Sequence, residues 1–309
     1  MAPPPLPLKL GTRGSPLALT QAHMVRRALM AAHGWGEDAI TIVPVKTTGD
    51  RVQDRPLSEL GGKALWTKEL DHALGEGAID FAVHSMKDVE TIRPEAIVIA
   101  AMLERADMRD RLIGADSVAA LPRGARVGTS SPRRSAQLLR LRADLEIVMF
   151  RGNVDTRLSR LNLGEADATL LAAAGLDRLG RPEIGHAIAT DIMLPAPAQG
   201  AVGIECLGTR DDLRAALAAI DHHDTHLCVL TERALLAHLG ADCRSPMAAL
   251  AVREGDSVFL RAEILSMDGR LHRAGETTAA VGDHAPIAAL ASALLADAEP
   301  ELRALFSGI

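Results

Sequence analysis

The sequence predicts an α/β protein of two similarly built lobes followed by a smaller α+β C-terminal domain. Three observations carry this. Gly-Thr followed by Ser-Pro occurs twice, as Gly11-Thr12 before Ser15-Pro16 and Gly128-Thr129 before Ser131-Pro132. A second pair, "GEGAIDFAVHS" (75–85) and "GEADATLLAAAG" (164–175), places Gly-Glu and an Asp ahead of a short apolar run that suits a buried parallel strand. After about residue 222 both patterns give way to a helix, an alternating stretch and an Asp-Gly turn.

The elements follow in order. "KLGTR" reads as a strand end, after which Ser15 suits an N-cap and Pro16 the first helical position. Leu19, Ala22, Val25, Leu29 and Ala32 then recur at helical spacing until Gly34 and Gly36 stop the run. "GTSSPRRSAQLLRLR" repeats this grammar with Ser131 and Pro132. "LPAPAQGAVGIEC" reads as a crossover returning the chain to the first lobe. The expected boundaries are therefore 8–104 with 196–221 for the first lobe, 105–195 for the second and 222–309 for the last domain. That domain opens with a helix over about 225–239 and contains a hairpin turning at Asp268-Gly269. In paired lobes of this build, a ligand is expected in the cleft at the carboxyl ends of the strands.

Composition narrows the function. With 309 residues, 48% hydrophobic and 24% charged, the chain is a globular protein of two or three domains. Aromatics make up 2% and Tyr is absent, so Leu, Val, Ile and Ala fill the cores. No apolar run reaches the roughly 18 residues of a membrane span, and the Pro-rich start lacks an export signal, so a cytoplasmic protein is expected. Cys206, Cys228 and Cys243 form no C-x-x-C pair, which argues against a disulfide framework or a zinc knuckle. The net charge of −6 conceals nine Arg between 123 and 160 against Asp144, Glu146 and Asp155. An anionic ligand is implied. Phe150 is the single aromatic of that segment, so the stacking platforms of a nucleic-acid site are missing.

Several motifs offer chemistry, each with a plainer alternative. Ser85, Lys87 and Asp88 follow a buried strand; they suit a solvated loop, or an anion site with a general acid or base. Thr129, Ser130 and Ser131 open a helix whose dipole favours anions, and Arg133 and Arg134 oppose that dipole unless an anion neutralises them. Arg151 and Gly152 follow another strand end, and Arg157 lies on the next helix. Arg140, Arg142 and Arg160 suit solvated helix faces. "LGGKALWTKEL" (60–70) lacks the first P-loop Gly, having Leu57, and reads as a Gly-hinged lid bearing Lys63 and Lys68. His222, His226 and Cys228 have no further ligand at metal spacing and suit capping and core roles. Cys243, in a short polar turn, is by sequence logic either a small buried hydrophobe or a reactive thiol.

Together, "TRGSPLALTQA", "GGKALWTKEL", "FAVHSMKDV", "VGTSSPRRSAQL", "RGNVDTRL", "AAAGLDRLG", "PAPAQGAVGIE" and "HHDT" resemble the porphobilinogen deaminase family over nearly the whole chain. The resemblance implies two lobes like those of periplasmic binding proteins plus a smaller α+β C-terminal domain. It implies a monomeric transferase of tetrapyrrole (heme, chlorophyll, cobalamin) biosynthesis, a hydroxymethylbilane synthase that joins four porphobilinogen molecules and releases ammonia. It also implies a dipyrromethane cofactor held by a thioether to Cys243, with no metal, nucleic acid or membrane partner. By match to the family motifs, Asp88 is the catalytic residue. Ser85, Lys87, Asp88, Thr129, Ser130, Ser131, Arg133, Arg134, Arg151 and Gly152 are expected at the cofactor. Arg13, Ser15, Lys63, Arg151, Arg157, Arg178 and Gln199 are expected at the substrate. Two places depart from the family pattern: Ala241-Asp242 and Ser245 around the cysteine, and Glu90 where Pro is common.

Overall fold

The computed structural model describes residues 3–47, 66–242 and 244–306. Cys243, Lys63 and the Gly61-Gly62 pair lie outside the described residues. Those residues form two compact units, one of 3–47, 66–106 and 201–226, the other of 107–200, 227–242 and 244–306.

In the first unit the strands are β1 (Leu8–Arg13), β2 (Ile40–Val45), β3 (Phe81–Ser85) and β4 (Ile97–Met102), joined by β10 (Val202–Leu207), in the order β2-β1-β3-β10-β4. β1 runs parallel to β2 and β3, whereas β10 is antiparallel to both its neighbours. The "GAVGIEC" stretch supplies β10. The Pro16–His33 helix starts as expected, with the Ser15 hydroxyl accepting from the Ala18 N–H at 3.3 Å, and ends on Gly34 at φ 67°. Its Ala22, Val25 and Leu29 pack with Leu8, Leu10, Phe81 and Ile204.

The second unit contains β5 (Asp110–Ile113), β6 (Arg126–Thr129), β7 (Glu146–Met149), β8 (Ala168–Ala172) and β9 (His186–Ala187), ordered β7-β6-β8-β5-β9. β6 is parallel to β7 and β8, and β5 is antiparallel to β8 and β9. Strand for strand this is the first unit's topology. The echoed Asp residues perform one task in both units. Asp80 accepts the Lys9 N–H at 2.7 Å while its own N–H bonds Lys9 O, and Asp167 does the same at Arg126, again at 2.7 Å. A carboxylate thereby satisfies a backbone donor where each parallel pair begins.

The second unit also holds a three-stranded antiparallel sheet of β11 (Met247–Glu254), β12 (Ser257–Leu265) and β13 (His272–Ala280), with a core of its own that includes Leu235, Leu260, Ile264 and Leu294. The β12–β13 hairpin turns at Asp268-Gly269, with Gly269 at φ 72°, as expected. β11 is an addition to the predicted hairpin. Its first five residues are all buried, so "MAALA" carries no alternation to mark a strand.

Gly203 of β10 brings the sheet against the turn after β3. A Cβ there would land on the Met86 side chain, which is 1% exposed and heads the turn carrying Lys87 and Asp88. Overpacking a core typically costs about 1–3 kcal/mol. Gly203→Ala is therefore expected to lower the free energy of urea unfolding by about that amount, and unchanged unfolding would show that Met86 repacks freely.

Candidate functional site

In the first unit, a pocket opens where the chain leaves β1 and β3. It is lined by Arg13, Ser15, Gln21, Trp66, Ser85 and Asp88 among others. β1 delivers Arg13 at its last residue. The Met86–Asp88 3-10 turn, closed by Val89 N–H to Met86 O, presents Lys87 and Asp88 just past β3. The Met86 N–H is held by Ala201 O at 3.1 Å, which fixes the turn to the strand crossing back. Gln21 Nε2 donates to Ser85 Oγ at 2.8 Å, so Ser85 is anchored to the first helix.

Asp88 and Arg13 face each other loosely. Arg13 Nη1 lies 3.8 Å from Asp88 Oδ2, the two side chains being 21% and 37% exposed, and the Arg13 guanidinium lies 3.9 Å from the Trp66 ring centroid. The pair is wide and part-exposed, so solvent screens the attraction between its two charges. Behind the pocket the electrostatics are tighter. His84 Nε2 lies 3.1 Å from the fully buried Glu205 carboxylate, whose two oxygens both accept from Arg93. Burial alone would push the Glu205 carboxyl up, but His84 and Arg93 outweigh it and hold the group down to about 2. Glu90 accepts from Thr67 Oγ1 at 2.6 Å and from Arg93 at 2.7 Å, so its extra charge relative to the family pattern is neutralised within the protein.

In the second unit, Thr129 closes β6, Arg151 and Gly152 follow β7, and the Ala173–Arg178 helix follows β8, all at the carboxyl edge of three parallel strands. Ser131 caps the Pro132–Leu141 helix, accepting from Arg134 N–H at 3.4 Å, and Thr129 Oγ1 accepts the Ser131 N–H. Gly152 adopts φ 106°, and a Cβ there would strike the Thr156 side chain. Arg157 Nε donates to Gly152 O at 3.0 Å.

Arg133 and Arg134 require a correction. Both were expected to be neutralised by a bound anion, but they are 3% and 5% exposed and the chain supplies the anion itself. Asp110, 1% exposed, pairs with Arg133 at 2.8 Å and with Arg134 at 2.6 Å. Gln199 Nε2 joins the same network, donating to Asp110 at 2.9 Å and to Met108 O at 2.7 Å. Burial would raise the Asp110 carboxyl, but the two guanidiniums drive it far below the usual carboxylate range. Asp110 went unnoticed in the sequence because an isolated acid at the start of a strand carries no local signal.

Donors remain unspent. Among the described residues, Arg133 Nε, Arg151 Nη1 and Arg178 Nε are buried without a hydrogen-bond partner, although Arg178 Nη2 reaches Gly200 O at 2.6 Å. Buried guanidinium N–H groups left unpaired are costly, and carboxylates satisfy them best. The two histidines singled out in the sequence serve as caps and anchors: His222 Nδ1 contacts Thr225 Oγ1 at 2.9 Å, and His226 contacts Asp221 at 2.8 Å. Cys206 and Cys228 are 0% and 6% exposed, and burial raises the Cys206 thiol to about 11. Beside Cys243, Asp242 accepts the Arg244 N–H at 2.8 Å and pairs with its guanidinium at 2.6 Å, while the Ser245 hydroxyl accepts the Asp242 N–H. The departing residues Asp242 and Ser245 are thus bonded to each other and to Arg244.

Breaking a buried ion pair by removing one partner typically costs about 3–5 kcal/mol. Asp110→Asn strands two buried guanidiniums and is expected to destabilise the second unit by about that amount; a thermal midpoint equal to that of the parent chain would refute this account of the network.

Residues 8–215 match the family model "Porphobilinogen deaminase, dipyromethane cofactor binding domain", and residues 226–286 match "Porphobilinogen deaminase, C-terminal domain". The chain is 58% identical to the porphobilinogen deaminase of Sphingopyxis alaskensis over 99% of each chain. It is 52% identical to that of Paracoccus denitrificans over 92% of each. Among solved structures it is similar to the second substrate binding domain of a putative amino acid ABC transporter from Streptococcus pneumoniae, with a TM-score of 0.40 at 13% identity, covering 75% of this chain and 94% of that one. Matched by both family models and by two relatives above half identity over nearly their full lengths, the chain belongs to the porphobilinogen deaminase family.

Proposed function

We propose that this chain joins four porphobilinogen molecules head to tail into hydroxymethylbilane, releasing ammonia at each addition, with Asp88 as the catalytic residue. The observation that carries this reading is the half-exposed Asp88 held only loosely by Arg13 in the first unit's pocket, within a chain of this family. Loss of ammonia from porphobilinogen leaves an electron-deficient, azafulvene-like cation. A preorganised carboxylate stabilises such a charge and accepts a proton from the reacting pyrrole. Arg13 and Lys87 supply cations for the acetate and propionate groups of the substrate, and Ser15 and Ser85 supply hydroxyls beside them.

The cofactor reading is supported by donor chemistry. A dipyrromethane carries four carboxylates, and the unpaired N–H groups of Arg133, Arg151 and Arg178 in the second unit suit such a polyanion. Thr129, Ser130, Ser131 and Gly152 add hydroxyl and backbone donors there, while Arg134 and Gln199 act through Asp110 rather than as free contacts. Arg157 and Lys63 complete the proposed substrate set. When bound, the cofactor supplies the pyrrole end from which the product chain is extended. The thioether is assigned to Cys243, since Cys206 and Cys228 are core residues. The separate core of the three-stranded sheet supports a three-domain division at 8–104 with 196–221, 105–195 and 222–309. The same reading makes the protein a cytoplasmic monomer, to be checked by light scattering. No helix among the described residues is long and apolar enough to cross a membrane.

Two variants test this function. Cys243→Ala is expected to fold but to show the bare chain mass and no turnover, whereas the parent protein carries the added mass of a dipyrromethane; an alanine variant that kept the adduct would move the anchor elsewhere. Asp88→Asn, studied as a mass-verified holoprotein, is expected to lose at least roughly a hundredfold in turnover, the scale of removing one preorganised contact to the transition state. Near-normal ammonia release in a single-turnover assay would take Asp88 out of the chemistry.

A further inference from the structure

Arg93 lies outside every motif that defines the site, yet its guanidinium makes six side-chain hydrogen bonds. From a loop whose preceding residue, Ile92, is 70% exposed, the Arg93 side chain turns inward to 8% exposure. Its Nε and Nη2 grip Glu205 at 2.8 and 2.9 Å, and Nη2 and Nη1 reach Asp71 at 2.5 and 3.2 Å. Nη1 also donates to Glu90 at 2.7 Å and to Thr67 Oγ1 at 3.3 Å. Glu90 and Thr67 are themselves joined at 2.6 Å.

The partners of this one cation are distributed in a telling way. Glu205 is on β10, and Asp71 is on the Lys68–Gly75 helix. Glu90 follows Asp88 by two residues. Thr67 follows Trp66, whose ring lies against Arg13, and Arg13 faces Asp88. The two sides of the pocket, 66–67 and 88–90, therefore meet on Arg93. Three carboxylates converge on a single guanidinium, so without it they repel one another and Glu90 loses its 2.7 Å contact with Arg93.

We propose that Arg93 is a positioning residue for the reaction: through Glu90 and Thr67 it sets the placement of Asp88 and Trp66 across the pocket, with Glu205 and Asp71 as its fixed footing. Among the described residues its hydrogen-bond partners are Glu205, Asp71, Glu90 and Thr67, none of them assigned to substrate or cofactor. The inference rests on the reading of Asp88 as catalytic. Glu90, one of the residues that depart from the family pattern, is on this account one half of a local latch with Arg93.

The test uses the holoenzyme in a Trp35→Phe background, which leaves Trp66 as its single tryptophan. Arg93→Met, Arg93→Lys and Glu90→Gln are compared by acrylamide quenching of Trp66 and by steady-state kinetics, with cofactor loading verified by intact mass. Arg93→Met is expected to make Trp66 more quenchable and to lower kcat roughly ten- to a hundredfold, the scale of a small misplacement of reacting groups. Arg93→Lys restores part of both losses because a single ammonium cannot bridge all the partners. Glu90→Gln shows the same change in quenching to a smaller extent. Loaded Arg93→Met with parental quenching and kcat overturns the proposal. If that variant does not fold, parental behaviour of both Arg93→Lys and Glu90→Gln overturns it instead. Failure of the Asp88 reading is separable: Asp88→Asn then releases ammonia normally while Arg93→Met still exposes Trp66.

Discussion

Each of the two five-stranded sheets is organised around a carboxylate that burial alone would neutralise. Glu205 lies on β10 and Asp110 on β5, the antiparallel member of its sheet in each case, and both are essentially inaccessible to solvent. A lone carboxylate in such a place would protonate rather than stay charged. Paired groups keep both ionised: His84 and Arg93 at Glu205, and Arg133 with Arg134 at Asp110. The requirement that these charges be paired dictates how the loops past the strands return to the sheet. It brings Arg93 inward from an exposed loop, and it ties the start of the Pro132–Leu141 helix to β5.

That constraint separates two kinds of cation in the same protein. Arg93 and Arg134 are spent on internal acceptors and serve geometry. Arg13 faces a part-exposed carboxylate at 3.8 Å, and Arg151 and Arg178 retain buried N–H groups without acceptors. The second kind suits a ligand rich in carboxylates, because forming the bond removes an existing penalty instead of breaking a satisfied pair. Counting arginines along the chain cannot make this distinction, since Arg133 and Arg134 are neighbours in sequence and differ in whether a donor is left over.

The C-terminal sheet shows a related division. Gln137, on the helix that Arg133 and Arg134 begin, donates to Glu263 of β12 at 2.5 Å, and His272 of β13 lies 2.8 Å from the same carboxylate. Burial would raise the Glu263 carboxyl, but His272 and Gln137 hold it below its ordinary value. One polar chain therefore runs from Asp110 through Arg133 and Gln137 to Glu263 of the three-stranded sheet. The second unit's packing is thus continuous with its electrostatics.

What the sequence determined by itself was local or repeated. Ser15-Pro16 and Ser131-Pro132 specify helix starts because a hydroxyl cap and a prefixed φ act within four residues. Gly34 and Asp268-Gly269 specify stops and turns through positive φ, and the doubled patterns disclosed two sheets of one topology. The motif resemblance singled out Asp88 and the strand-end residues around it. Tertiary structure alone decided the charge partners. Asp110, Glu205 and Arg93 are unremarkable in the one-dimensional pattern, and β11 was hidden because its buried residues do not alternate. Ion pairing inside a protein depends on which side chains are brought within about 4 Å after desolvation, across separations such as 112 residues for Arg93 and Glu205; no local periodicity encodes that distance.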